Sequence, residues 1–329
     1  MNDEFMQNTK IPEQKFVNEK EFPLVFRPKS QVSEEGFSDW LKSNKTSLRE
    51  KLKEHGAILF RDCPVNTPDK FEQMLENSEF VNMPYVGGAA PRKQVTANRV
   101  ITANEAPSGE KIPFHHEMAQ IPNPPSYVFF YCDIPAKKGG YTGILHSNEI
   151  YRKFVELSPS NASKIEELGV KYVRIMPDID DHSSPIGRSW RSTFQTEAKA
   201  DAEKKMQEMG MEWEWLTEGA LKTTTAVLPA IRSDRETGLK TFYNSIVAAY
   251  MGWDDSRNNR KQSVMTSDGY YMDESLMVEM ERQMDQLAVK FPWQKGDVLW
   301  LNNNLVLHSR YPFEGERKIL AAIAMSDHN

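Results

Sequence analysis

The tightest constraint in this sequence is a set of short apolar runs, rich in aromatic and β-branched residues, that recur at irregular intervals without regular helical spacers between them. Runs of that kind form strands, and their irregular spacing argues against a β-α-β repeat and its parallel sheet. Strands are expected at Ala57–Phe60, Tyr127–Ile134, Val170–Met176, 224–232, 240–246, 298–301 and 319–324. Helices are fewer. One is expected from Ser38, with Leu41, Leu48 and Leu52 on one face and Gly56 as its stop. A second, capped by Ser147 or Asn148, carries Ile150, Phe154 and Leu157, and two more cover 196–209, stopped by Gly210, and 273–289. In the last of these Leu276, Met280, Met284 and Leu287 fall at helical spacing, which reads as core filling by flexible side chains. The pattern predicts a mainly β domain with flanking helices, a sandwich or barrel. No composition break divides the chain, so residues 23–329 are expected to form one domain and residues 1–22 an arm lying over it.

Composition narrows the function. The net charge of −6 offers no clustered cationic footprint for nucleic acid or for an anionic membrane. No apolar run is long enough to span a bilayer, and the opening MNDEFMQNTK lacks the basic-then-apolar pattern of a secretion signal. A cytoplasmic protein acting on a small molecule is expected; the oligomeric state is unreadable. Two cysteines, Cys63 and Cys132, exclude a disulfide framework and any multi-cysteine metal site. Glycine-rich dinucleotide and phosphate loops, a zincin helix and a serine nucleophile elbow are all missing. Seven histidines remain as candidate equipment.

In Pro113-Phe114-His115-His116-Glu117 the imidazole of His115 and the carboxylate of Glu117 would share one face of an extended segment, two corners of a metal site. Alone the pair says little, since 7 × 47/329 ≈ 1 such pair arises by accident. A second segment, GDVLWLNNNLVLHSR, adds a strand broken by an asparagine run, with His308 beyond it and Arg317 nine residues later. Two histidines and one carboxylate leave three positions open on a metal, the arrangement of non-haem Fe(II) oxygenases, and a nearby arginine can grip a carboxylate at two points.

These segments, together with PYVGGAAPR, GGYTGI, SPIGRSWRSTF and FYNSIVAAYMGW, resemble the TauD/TfdA family of Fe(II)- and 2-oxoglutarate-dependent dioxygenases, above all its clavaminate-synthase-like branch. The resemblance runs from about Pro23 to the C-terminus. It implies a double-stranded β-helix, or jelly roll, with Fe(II) bound by His115, Glu117 and His308. It also implies 2-oxoglutarate as cosubstrate, its distal carboxylate meeting Thr142 and Arg317, and O₂ as oxidant. The implied reaction couples decarboxylation of 2-oxoglutarate to succinate and CO₂ with hydroxylation of a small molecule, an amino-acid-like one being a candidate. With Glu117 in the carboxylate corner no ligand position is vacated for halide, so halogenation is not expected, while desaturation and ring closure stay open. Glu117 departs from the aspartate of many members, though the clavaminate-synthase branch also uses glutamate. Where taurine- and clavaminate-type enzymes carry a second arginine four residues after the first, this chain has Ala321. An alternative reading is therefore a catalytically silent jelly roll that binds a ligand or partner, and a third is a zinc hydrolase on the same ligands.

The remaining candidates have structural readings beside functional ones. Arg188, Trp190 and Asn244 are candidate pocket residues, and Tyr85 and Arg92, flanking the glycines at 87 and 88, are candidates for the pocket and for a lid. Asn303 is either a hydrogen-bond partner behind the site or a strand breaker. His116 is read as packing, His55 as a helix-end cation, and Arg310 as a surface charge. His146, His182 and His328 are expected to be exposed, and Cys132 to be a buried hydrophobe.

Overall fold

The computed structural model describes residues 5–103, 106–234 and 237–326. Two sheets face each other. The larger runs, in spatial order, through Met6–Thr9, Leu24–Pro28, Ala57–Phe60, Val298–Asn302, Tyr127–Ile134, Lys318–Met325 and Val81–Asn82, with Ile101–Thr102 also pairing with Lys318–Met325. The smaller orders Val289–Phe291, Thr142–His146, Val306–Arg310 and Ile112–His115. Every pairing is antiparallel except that of Leu24–Pro28 with Ala57–Phe60. This is the expected jelly roll, mainly β with flanking helices.

The strand sequences explain the layering. Val128, Phe130 and Cys132 turn inward with Leu299, Leu301, Ile319, Ala321 and Ile323, meeting Ile144, Val289 and Phe291 of the smaller sheet. Alternate residues Phe129, Tyr131 and Trp300 turn outward under the helix Glu34–His55. Both faces of these strands are covered, so they read as unbroken apolar runs rather than alternating ones. The helix lays down Phe37, Trp40, Leu41, Leu48 and Leu52 at helical spacing, is capped by Ser33, and stops at Gly56 with φ +73°. On the outer face of the smaller sheet, Phe114, Leu145 and Leu307 pack under Ser147–Leu157, Ile246–Gly252 and Glu274–Leu287. Met277, Met280 and Met284 are the buried methionines of that last helix, while Leu276 and Leu287 are half-buried. A separate four-stranded sheet, Glu212–Trp215, Leu221–Thr224, Val170–Met176 and Val264–Thr266, stands beside the jelly roll.

Several expectations are corrected. Within the run 224–232 only the ends lie in strands, Thr224 closing Leu221–Thr224 and Arg232 opening Arg232–Ser233; Pro229, with no N–H, sits in the irregular stretch between them. The run 240–246 gives a two-residue strand, and its apolar end opens the helix Ile246–Gly252. The helix expected over 196–209 covers Lys199–Glu208. Within residues 1–22, Met6–Thr9 adds an edge strand to the larger sheet by pairing with Leu24–Pro28. His146 is buried, not exposed, and its ring caps Ser147–Leu157. His182 is exposed as expected, and His328 lies outside the described residues. His55 Nδ1 donates to the Glu21 carbonyl at 2.7 Å, and burial lowers its pKa, so it is not a helix-end cation.

Candidate active site

His115 and His308 face each other across adjacent antiparallel strands, in register, with ring centroids 4.3 Å apart. The Ile112–His115 strand ends there, and Glu117 follows in a turn whose next residue, Met118, has φ +54°. The carboxylate therefore reaches its place through this turn, not through strand alternation. Asn303 holds the turn. Its Oδ1 accepts from Glu117 N at 2.8 Å, and its Nδ2 donates to the carbonyls of Glu117 (3.1 Å) and Pro125 (2.8 Å) and to the Tyr243 hydroxyl (3.3 Å). The asparagine run thus supplies a partner behind the site. His116, on the far side, is fully buried between the Asn303 carbonyl (2.5 Å) and Ser147 Oγ (2.9 Å), the packing role expected of it.

One ligand atom from each of His115, Glu117 and His308 lies within 4.8 Å of the others. The Nδ1 of His115 donates to the Pro113 carbonyl at 2.8 Å, which leaves Nε2 with its lone pair. Burial, reinforced by His308, pushes the His115 pKa down to about 4, so the ring is neutral near pH 7. His308 Nε2 stands 3.4 Å from Glu117 Oε2. Burial alone would raise the Glu117 pKa, but Arg92 and then His308 hold the carboxyl well below the usual range. Two imidazoles and an ionised carboxylate are a donor set that fits a divalent first-row metal.

Arg92, expected at a lid or pocket, is buried and donates from Nη2 to both Glu117 oxygens at 3.0 Å. Its guanidinium lies 4.6 Å from the Tyr85 ring, and Arg188 covers the same ring at 5.0 Å. Tyr85 and Arg92 therefore form packed wall. They line a cavity of about 340 Å³ together with His115, Glu117, His308 and Arg317. Arg317 donates from Nε to the Gly140 carbonyl (3.0 Å) and from Nη2 to Thr142 Oγ1 (3.4 Å); among the described residues no carboxylate pairs with it. Burial, with Arg310 nearby, lowers its pKa to about 10. Thr142 also accepts from Trp293 Nε1 at 3.0 Å and lies behind the cavity wall. A Cβ at Gly140, where φ is +68°, would come within 3.0 Å of Arg317 Cδ, so this glycine makes room for the guanidinium. A half-buried cation beside a hydroxyl, without a carboxylate partner among the described residues, fits an incoming carboxylate.

Arg310 is not the surface charge it was expected to be. It lines the cavity, is buried, and donates to the carbonyls of Ala106, Pro107 and Glu110 at 2.6–2.7 Å, fastening that loop to the site. Arg188, Trp190 and Asn244 are not brought to the cavity. Arg188 ties the Gly88 and Ser192 carbonyls together, Trp190 packs edge-on against Trp215, and Asn244 caps the following helix turn through Ile246 N while donating to the Ala230 carbonyl.

Residues 22–323 match the family described as taurine catabolism dioxygenase TauD, TfdA family. The chain belongs to the TauD/TfdA family. A clavaminate synthase-like protein of Arabidopsis thaliana is 44% identical over 321 residues, covering 96% of this chain and 97% of that one. Dapdiamide synthesis protein DdaC of Enterobacter agglomerans is 27% identical over 290 residues, 84% of each chain. Among solved structures, PvcB of Pseudomonas aeruginosa superposes with a TM-score of 0.52 at 12% identity, covering 97% of this chain and 90% of that one. A taurine dioxygenase of Burkholderia xenovorans gives 0.50 at 15%, covering 92% and 86%. At those identities the structures speak for the jelly-roll fold. As a TauD/TfdA protein the chain is a non-haem iron oxygenase dependent on 2-oxoglutarate, and the donor set and Arg317, which has no carboxylate partner among the described residues, fit both requirements. Among the described residues no helix is long and apolar enough to cross a membrane.

Proposed function

We propose that the protein hydroxylates, or oxidises at a related C–H bond, a small amino-acid-like molecule, with Fe(II) held by His115, Glu117 and His308 and the distal carboxylate of 2-oxoglutarate held by Arg317 and Thr142. When bound, the iron and its cosubstrate supply the oxidation, coupling loss of CO₂ from 2-oxoglutarate to oxidation of the substrate with O₂. The chain's own residues do the rest. His115 and His308 present nitrogen donors, His115 with its tautomer set by the Pro113 carbonyl. Arg92 keeps Glu117 ionised and restrains its carboxylate, while Asn303 fixes the backbone that carries it. Arg317 neutralises the carboxylate that enters beside it, and the Tyr85–Arg92 wall and the Arg310-fastened loop enclose the reacting volume.

The observation that carries this reading is the coincidence, in one cavity of about 340 Å³, of a His-Glu-His cluster and a half-buried arginine with no carboxylate partner among the described residues. A relative named for dapdiamide synthesis supports small-molecule metabolism as the setting. The test is succinate release from 2-oxoglutarate with fractionated metabolite extracts and added Fe(II). Substrate-stimulated succinate that disappears in His308→Ala supports the reading. No stimulation by any fraction, in protein that binds iron and 2-oxoglutarate, favours the silent ligand-binding alternative.

A further inference from the structure

Every cation lining the cavity of His115, Glu117 and His308 already has an engagement. Arg92 donates to Glu117. Lys111 donates to Glu281 at 2.6 Å and to Asp285 at 2.8 Å. Arg310 is turned to the carbonyls of Ala106, Pro107 and Glu110, and Arg317 is assigned above to 2-oxoglutarate. The other charged groups of the wall, Glu110 and Asp254, are exposed carboxylates, which repel an acid. Ala321, fully buried in the core, adds no cation. Among the described residues, the wall therefore keeps no uncommitted counter-charge for a substrate acid once 2-oxoglutarate is in place.

Two uncharged polar side chains of the same wall are placed differently. Gln120 sits on the turn that follows Glu117, where Ala119 N donates to the His116 carbonyl at 3.3 Å and Ile121 N to the Met118 carbonyl at 3.1 Å. Its side chain is half-buried and makes no hydrogen bond among the described residues, yet neither atom of its amide is sealed from accessible space. Trp253, 9% exposed, ends the helix Ile246–Gly252, its ring 5.9 Å from that of Tyr172. Its indole N–H also keeps accessible surface and donates to nothing among the described residues. A tryptophan this deeply buried normally finds a partner for that N–H. Around the two the wall is apolar, with Pro185, Ile186, Ala248 and Met251.

We infer that Gln120 and Trp253 anchor the substrate by an uncharged amide, its apolar body lying against the wall of Ile186 and Met251. Gln120 can donate to the carbonyl of such a group and accept from its N–H, and the Trp253 N–H can meet the second lone pair of the same carbonyl. A carboxylate brings no hydrogen for Gln120 Oε1, and an ammonium brings no lone pair for the two donors, so either leaves a polar group of the site unpaired. The assignment rests on the oxygenase reading above and narrows its amino-acid-like substrate to one whose acid is masked as an amide.

The test is calorimetric titration of the whole chain without oxygen, first with Mn(II) and 2-oxoglutarate and then with primary amides, carboxylates and amines of matched chain length, from butyl to decyl. Saturating 2-oxoglutarate keeps the acids off Arg317. At least one amide is expected to bind, about tenfold or more tighter than its matched acid and amine. Gln120→Met should weaken that amide by about tenfold and Trp253→Phe by about three- to tenfold, with Mn(II) and 2-oxoglutarate affinity unchanged. Gln120→Glu should reverse the order, amine over amide, which a purely structural role for residue 120 would not do. Because the Gln120 side chain has no hydrogen bond to lose, Gln120→Met should melt no lower than the parent. No amide binding at any length, acids bound as tightly as amides, or amide binding untouched in Gln120→Met would each overturn the assignment. If Trp253→Phe does not fold, the two Gln120 variants decide. Gln120-dependent amide binding in protein that binds no 2-oxoglutarate would keep the anchor and sink the oxygenase reading. Bound 2-oxoglutarate without a Gln120-dependent preference for amides would do the reverse.

Discussion

Asn303→Ala is the perturbation whose consequence follows most directly from the structure. The side chain is fully buried and makes four hydrogen bonds: to both backbone groups of Glu117, to the Pro125 carbonyl and to the Tyr243 hydroxyl. Truncation leaves Glu117 N–H and two carbonyls facing an empty volume too small to hydrate them well. With a net worth of about 1 kcal/mol per bond plus part of the desolvation penalty of the stranded groups, the loss is about 3–5 kcal/mol. For a domain of this length that lowers Tm by roughly 4–7 °C. The turn carrying Glu117 also loses its tether, so metal affinity should fall about ten- to hundredfold, the usual effect of removing a partner behind a ligand. Urea unfolding of the metal-free protein measures the first quantity and Mn(II) titration the second. A variant within about 1 kcal/mol of the parent and with unchanged metal affinity would refute the reasoning, because it would mean that the turn is held by other contacts.

Other substitutions separate the parts of the site. Arg317→Met should weaken 2-oxoglutarate binding by about a hundredfold and leave Mn(II) affinity and Tm nearly unchanged, since among the described residues the arginine has no carboxylate to strand; calorimetry with each ligand checks this. Arg92→Met strands the buried Glu117 carboxylate and should destabilise the metal-free protein by about 3–5 kcal/mol, much of it recovered on adding Mn(II). A loss unaffected by metal would contradict that account. His146 supplies the pH prediction: burial lowers its pKa to about 4, against about 6.5 unfolded. Its contribution is fully present above pH 6.5 and is lost as pH falls toward 4, because the unfolded chain takes up a proton that the folded one refuses. His146→Gln should flatten that acid limb by on the order of 1.4 kcal/mol per pH unit, read from urea unfolding at several pH values.

What was legible in the sequence follows from what local pattern encodes. Tyr127–Ile134 and Val298–Asn302 are buried on both faces, and nothing but a strand satisfies that many aromatic and β-branched residues in so short a run. The run at 240–246 was not legible, because a short apolar segment opening a buried helix looks the same as a strand until its neighbours are known. The metal cluster was visible through spacing and family resemblance, but the turn that delivers Glu117 depends on Asn303, 186 residues away. Arg310 was misread because the carbonyls of Ala106, Pro107 and Glu110 that satisfy it come from another part of the chain. A charge defaults to the surface only until such a partner is in place.

The central claim is that His115, Glu117, His308 and Arg317 form one centre for iron and 2-oxoglutarate. Anaerobic titration with Fe(II) and 2-oxoglutarate tests it most directly. A weak visible charge-transfer band should grow to one equivalent of each, vanish in His308→Ala, and shift to higher 2-oxoglutarate concentration in Arg317→Met. Folded, iron-loaded protein that shows no band at saturating 2-oxoglutarate would contradict the claim.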